Sequence, residues 1–374
     1  MSLTASEAAT ARSAGGATGG GTPRPGRDVP PQPAGRLRPG WLAAGIVALV
    51  AACLAGVTLG PVDLPLGAVV AAVADRLPGV EVDSGLSSRD VAILWQLRVP
   101  RVVLGVLVGA MLAGAGAGFQ GAFRNPLADP LLLGIATGAG LGATLAIVYL
   151  PSATGWLVPA LPLAAFVGAL CGVAATYLLS RSVTGGRGTV ELLLAGIAVA
   201  AFFSAAQTFV QMRNAESIRQ IYAWLLGRLA TTGWSDVTLI LPYVAVATIV
   251  LLAHRRLLDV IGVGDREALA LGVPVTRVRT TVIVAAALGT ASAVAVSGLI
   301  GFVGIIVPHT VRLLTGWSYR SVLPLSLLFG GAFLVLTDLL ARLVLAPAEL
   351  PIGVVTAFLG APFFVVVLRH RRTP

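Results

Sequence analysis

The chain has 374 residues, 56% of them hydrophobic and only 11% charged, where an ordinary soluble domain carries roughly 25% charged residues. With a mean hydropathy of +0.91 it reads as a polytopic membrane protein, and a large soluble core is excluded. The formal charge of +10 comes from 26 basic residues, all arginine and scattered between apolar runs, which points to membrane topology and to no nucleic-acid partner. Without lysine there can be no GxxxxGK[ST] phosphate loop and no Schiff base, so ATP used by this protein must be hydrolysed on another chain.

Residues 1–40 are rich in Gly, Ala, Pro, Thr and Arg and lack apolar periodicity. They cannot bury enough surface to offset chain entropy, and are expected to form a disordered cytoplasmic tail. From 41 to 374 the chain reads as one membrane domain. A bilayer core needs about 20 apolar residues in a helix, which predicts ten spans: 41–60, 102–119, 131–150, 159–179, 190–210, 237–253, 280–297, 300–313, 322–345 and 352–368. The eighth is too short to cross unless protein packs around it. Val50-Ala51-Ala52-Cys53 resembles a lipoprotein cleavage box, but so many polar residues precede it that no cleaved signal is expected.

With the N-terminus inside, ten spans return the C-terminus inside. Eighteen arginines then fall inside and eight outside: Arg76, Arg89, Arg98, Arg101, Arg213, Arg219, Arg228 and Arg342. The split supports this orientation. Glycine and alanine saturate the spans, most densely over 109–118 and 134–142, as close helix packing in lipid requires. Breakers such as Asn125-Pro126, Asp129-Pro130, Pro308, Pro324, Pro351 and Pro362 imply short or broken helices, tolerated only inside protein or beside a wet cavity.

One stretch interrupts the apolar pattern. Residues 254–279, HRRLLDVIGVGDREALALGVPVTRVR, are charged and contain a helix-like run over 265–271, closed by Gly272 and Pro274. Asp265 is placed to cap its first turn, Glu267 suits the positive end of the helix dipole, and Gly272 can adopt the left-handed closing conformation. Ala268 and Leu271 would then offer a small apolar surface.

Chemistry-bearing constellations are sparse. His254, His309 and His370 have no Cys or carboxylate at ligand spacing, so no metal site is expected, and Cys53 and Cys171 sit in apolar runs as small hydrophobes. No catalytic motif and no cofactor-binding motif is present; 125–129, NPLAD, is a faint likeness to the aspartate loops of membrane prenyltransferases, without the second loop those enzymes need. Asp338 lies in the ninth span with Arg342 four residues on, where the two can meet on one helix face. A cation-coupled secondary transporter would want more such groups.

Several motifs together are distinctive: QLRVPR at 96–101, FQGAFRNPLADPLLLG at 119–134, LLLAGIA at 192–198, WLLG at 224–227, EALALGV at 267–273, GFVGIIVPH at 301–309, and ELPIGVVT at 349–356 with GAPFF at 360–364. In this order they resemble the permeases of iron-siderophore, haem and cobalamin ABC importers (FecCD/BtuC type), over about 41–369. The resemblance implies an all-α, ten-helix BtuC-like fold and a homodimer or paralogous heterodimer of permeases. It also implies two cytoplasmic ABC ATPases, an extracytoplasmic substrate-binding protein, a bacterial cytoplasmic (inner) membrane location, and no enzymatic activity or cofactor of its own. By position in the family, Arg98, Arg101 and Arg342 would meet glutamates of the binding protein; Asp265, Glu267, Ala268, Leu271 and Gly272 would seat in the ATPase; and Thr189 would lie near a cytoplasmic gate. The cargo implied is a ferric siderophore before haem or cobalamin. A cation-driven transporter or an intramembrane prenyltransferase is the alternative reading.

Overall fold

Backbone polar groups in hydrocarbon must be satisfied within their own segment, and the apolar runs accordingly fold as helices. The computed structural model describes residues 37–60, 62, 64–76, 79, 82–150, 159–184, 189–229 and 233–370; the predicted tail lies outside them. No strand occurs among the described residues.

In chain order the helices are α1 (Pro39–Thr58), α2 (Leu66–Ala74), α3 (Ser88–Ala92), α4 (Val99–Phe123), α5 (Ile135–Tyr149), α6 (Ala160–Thr184), α7 (Thr189–Arg213), α8 (Ile218–Leu225), α9 (Trp234–Val263), α10 (Asp265–Ala270), α11 (Val275–Ser297), α12 (Val303–Thr315), α13 (Tyr319–Leu343) and α14 (Ile352–His370). Each of the ten predicted runs coincides with one of these. Among the described residues seven helices are long and apolar enough to cross a membrane, and three shorter apolar helices accompany them in α5, α12 and α14.

The core is built around α4. Every residue from Met111 to Ala122 is buried, because α1, α9, α11, α12 and α13 all pack against this helix. Glycine makes the approach possible: a Cβ on Gly109 would strike the Gly330 carbonyl of α13, and one on Gly116 the Gly304 carbonyl of α12. Such small-residue contacts replace the hydrophobic drive that lipid removes. A turn of π-helix, Ile93–Arg98, links α3 to α4, so that one continuous helical stretch begins well before the predicted 102. Polar Arg89, Asp90, Gln96 and Arg98 break the apolar run there without breaking the helix.

The charged stretch is also more helical than predicted. Its first part is the end of α9, which continues past 253 to Val263. Leu258 and Ile261 are fully buried and keep the helical period while the charges occupy the other faces. The short helix α10 follows Gly264, whose backbone is extended, and α11 starts immediately after Pro274.

Candidate functional site

Two charged clusters mark the two ends of α4, about 35 Å apart at helical rise. Nothing comparable in charge lies between them on this helix, whose middle is glycine and alanine.

The first cluster surrounds α10. Its closure has the geometry of a Schellman motif: the Val273 N–H donates to Ala268 O (3.0 Å), the Gly272 N–H to Leu269 O (2.9 Å), and Gly272 sits at φ +80°. Glu267 is in the first turn, as expected, with its carboxylate folded back over Gly264. Asp265 departs from the expected role. Gly264 occupies the cap position, and Asp265, already inside the helix, makes no capping bond. Its carboxylate instead accepts from Arg279 Nη2 (2.9 and 3.2 Å) and pairs with Arg124 at 3.4 Å. Arg279 Nε in turn donates to Ala122 O (2.8 Å), one of the last carbonyls of α4. Three elements therefore meet at one carboxylate.

Ala268 also needs correction. It is fully buried in a small core of its own with Ile261, Val273, Val275 and Val278, separate from the main bundle core. It holds α10 in place and presents nothing outward. The outward apolar surface comes from Leu271, 72% exposed, joined by Leu269 and Val263. Leu269 and Val263 escape notice in the sequence because single exposed aliphatics carry no signal until a helix places them on one side. Nearby, Asp259 accepts from Ser318 Oγ (2.9 Å) and from the Tyr319 N–H, fastening the end of α9 to the start of α13.

Just beyond Arg124, the loop that leads to α5 buries Asp129, whose Oδ1 accepts the Leu131 N–H at 2.8 Å. Burial pushes this carboxyl up to about 6. Gln120 Nε2, one turn before the loop, donates to Gly304 O at 2.8 Å.

The second cluster lies at the start of α4, and here the three predicted arginines do converge. They are not the exposed guanidiniums the sequence suggested. Arg98 and Arg342 are 7% and 6% exposed. Arg98 Nη1 donates to Val57 O and Thr58 O, both at 2.8 Å, and its Nη2 to Val62 O. Arg342 Nη2 donates to Gly56 O at 3.0 Å. The last carbonyls of a helix lack partners within it, and α1 ends at Thr58, so two buried guanidiniums close this end at the negative pole of its dipole.

Arg101 completes the cluster. Its Nη2 lies 2.8 Å from Asp338 Oδ1, and its Nη1 2.9 Å from Glu349 Oε1, with Nη2 to Glu349 Oε2 at 3.0 Å. Asp338 also pairs with Arg342 at 3.1 Å, the helix-face contact anticipated from their spacing. Glu349, in the connection between α13 and α14, is the exposed member at 46%, and the hydrogen bond from Arg101 holds its carboxyl below the usual carboxylate range. Sequence reasoning missed Glu349, although it opens the ELPIGVVT motif. Asp338 is shared between two arginines.

Elsewhere, an apolar groove of about 590 Å³ runs between the end of α8 and α14, lined by Leu225, Leu226, Phe302, Val354, Ala357 and Phe358. Phe302 takes a left-handed backbone (φ +68°), and its ring fills the space that a Cβ on Gly360 would need. Thr189 is the first residue of α7; its side chain and the preceding 185–188 lie outside the described residues. Among the described residues no three His, Cys, Asp or Glu side chains converge to hold a metal ion.

The family profile described as the FecCD transport family matches residues 48–370. The cobalamin import system permease protein BtuC of Halobacterium salinarum is 39% identical over 361 residues, covering 88% of this chain and 96% of that protein. The Fe(3+)-citrate import system permease protein YfmD of Bacillus subtilis is 38% identical over 310 residues, covering 83% and 90%. Among solved structures, a metal-chelate type ABC transporter in an inward-facing conformation superimposes with a TM-score of 0.76 at 30% identity, covering 89% of this chain and all of that one. The chain belongs to the FecCD transport family: it is the membrane permease subunit of an ABC importer, a transport component and not an enzyme, whose family implies ATPase and binding-protein partners.

Proposed function

We infer that this permease moves a ferric chelate of the siderophore class inward across the bacterial cytoplasmic membrane. Ten helices cross the bilayer, the seven long ones together with α5, α12 and α14, and both termini are cytoplasmic. Two permeases, identical or paralogous, frame the pathway. Two ABC ATPases dock against α10, an extracytoplasmic binding protein docks at the Arg101 end, and Thr189 lies near the cytoplasmic gate.

The observation that carries this reading is the placement of α10. It is a short helix that projects exposed Leu269 and Leu271 from a small, self-packed base while Asp265 ties it to α4 and α11. An exposed apolar patch of this kind on a charged segment suits a protein partner. Motion imposed on α10 reaches the buried central helix through Asp265, Arg124 and Arg279. No covalent chemistry on the cargo is involved.

For the cargo, similarity to an Fe(3+)-citrate permease and to a metal-chelate type transporter supports an iron chelate. Similarity to a cobalamin permease supports cobalamin as the second reading. Uptake assays with ⁵⁵Fe-labelled ferric siderophores, haem and labelled cobalamin in cells carrying the complete importer decide between them. Accumulation of a ferric siderophore that is lost on deleting this chain is expected; accumulation of cobalamin alone would overturn the iron reading.

A further inference from the structure

We propose that Glu349 is a built-in stand-in for a partner's carboxylate: it occupies the outer fork of Arg101 until an acidic side chain of the docking protein replaces it, and the exchange releases the segment leading into α14. This rests on the reading that the Arg101 end receives the binding protein.

Arg101 holds two carboxylates of very different standing. Asp338 is 3% exposed and is shared with Arg342, so an incoming group cannot reach it. Glu349 is 46% exposed and, among the described residues, is bonded to Arg101 alone, through both of its oxygens. A guanidinium fork accepts one carboxylate as readily as another in the same bidentate geometry. Glu349 is the solvent-facing partner of the pair, so an incoming carboxylate can reach its place on the fork. Within the cluster itself, Arg98, Arg101 and Arg342 carry three positive charges against two on Asp338 and Glu349.

The exchange would be felt in α14. Next to Glu349, the Leu350 N–H donates to Ala341 O (2.9 Å), and the Ile352 and Gly353 N–H groups donate to Gly227 O (3.1 Å) and Leu226 O (3.0 Å). These residues fasten the first turn of α14 to the ends of α13 and α8, beside the apolar groove. Freeing Glu349 removes the ion pair that ties this junction to α4.

The test measures the affinity of the purified cognate substrate-binding protein for the permease–ATPase complex in lipid nanodiscs. Glu349→Gln removes the internal competitor and is expected to tighten docking about fivefold, which converts to roughly 1 kcal/mol. Arg101→Gln, and Arg101→Lys as the variant that keeps the charge but loses the fork, are expected to weaken docking at least tenfold, on the order of one charged hydrogen-bonded contact. In the Arg101→Gln background, adding Glu349→Gln should bring no gain. In the wild-type complex, docking should also speed amide exchange over 345–350. If Arg101 variants weaken docking while Glu349→Gln leaves it unchanged or weaker, the stand-in proposal is overturned and the docking reading survives. If neither Arg101 variant changes affinity, the docking reading itself falls. Unaltered exchange over 345–350 would overturn the release of the α14 junction.

Discussion

The two ends of α4 carry similar residue types and put them to opposite uses. At the Arg101 end, guanidiniums are drawn inside: Arg98 and Arg342 close the carbonyls of α1, and Asp338 sits between two arginines with almost no exposure. At the Asp265 end, the charges around α10 stay nearer the surface, with Asp265, Arg279 and Arg124 side chains 39%, 24% and 44% exposed, and α10 packs in a small satellite core while α4 and α11 share the main one. Buried pairs cannot be broken cheaply, whereas exposed ones can rearrange. The contrast teaches that one end is built as a fixed frame with a single replaceable carboxylate. The other is built as a joint.

The largest effect tests the fixed frame. Asp338→Ala leaves Arg342 buried opposite Arg101 without its shared carboxylate, and is expected to cost about 3–5 kcal/mol. Thermal unfolding of the purified permease in detergent should show a marked drop. A loss of less than about 1 kcal/mol, typical of an exposed pair, would show that this end is no more rigid than the other.

The next effect concerns pH and a buried carboxyl in the loop just beyond Arg124. Asp129 titrates near 6 in the folded chain against 3.8 as its ordinary value, so its carboxyl binds a proton more tightly when folded. Its stabilising contribution is complete below about pH 4 and is lost as pH rises through 6, on the order of 3 kcal/mol in all. Asp129→Asn should remove this component, making unfolding midpoints flatter between pH 4 and pH 7 than in the wild type. An unchanged pH profile would break the assignment.

The smallest stability effect is expected at Asp265 itself. Its pairs are exposed, so Asp265→Asn should cost less than about 1 kcal/mol. Stimulation of ATP hydrolysis by the docked binding protein should nevertheless be lost from the assembled complex, because the joint between α10 and α4 has gone. A variant with normal stimulation would remove Asp265 from the coupling route.

Much of this was legible in the sequence. Ten apolar runs announce ten helices, the glycine density announces close packing, and Gly272 announces the end of α10. The failures share one cause: a residue's type does not reveal which way its helix turns it. Ala268 looks like surface filler and proves to be the centre of a small core. An arginine at a helix end reads the same whether it faces a partner or a neighbour's open carbonyls, and the partners of Arg98 lie on α1, some forty residues earlier. Asp265 satisfies a capping pattern, yet a preceding glycine takes the cap and frees the carboxylate to bind Arg279. The extension of α9 was hidden because its charges masked the buried Leu258 and Ile261.

The central claim, that α10 seats the ATPase, is tested most directly by co-purifying the ATPase with a Leu269→Glu/Leu271→Glu permease. Both side chains are exposed, so fold stability and binding-protein affinity should stay at wild-type values while the ATPase is lost from the complex. Retention of the ATPase at wild-type stoichiometry would contradict the account.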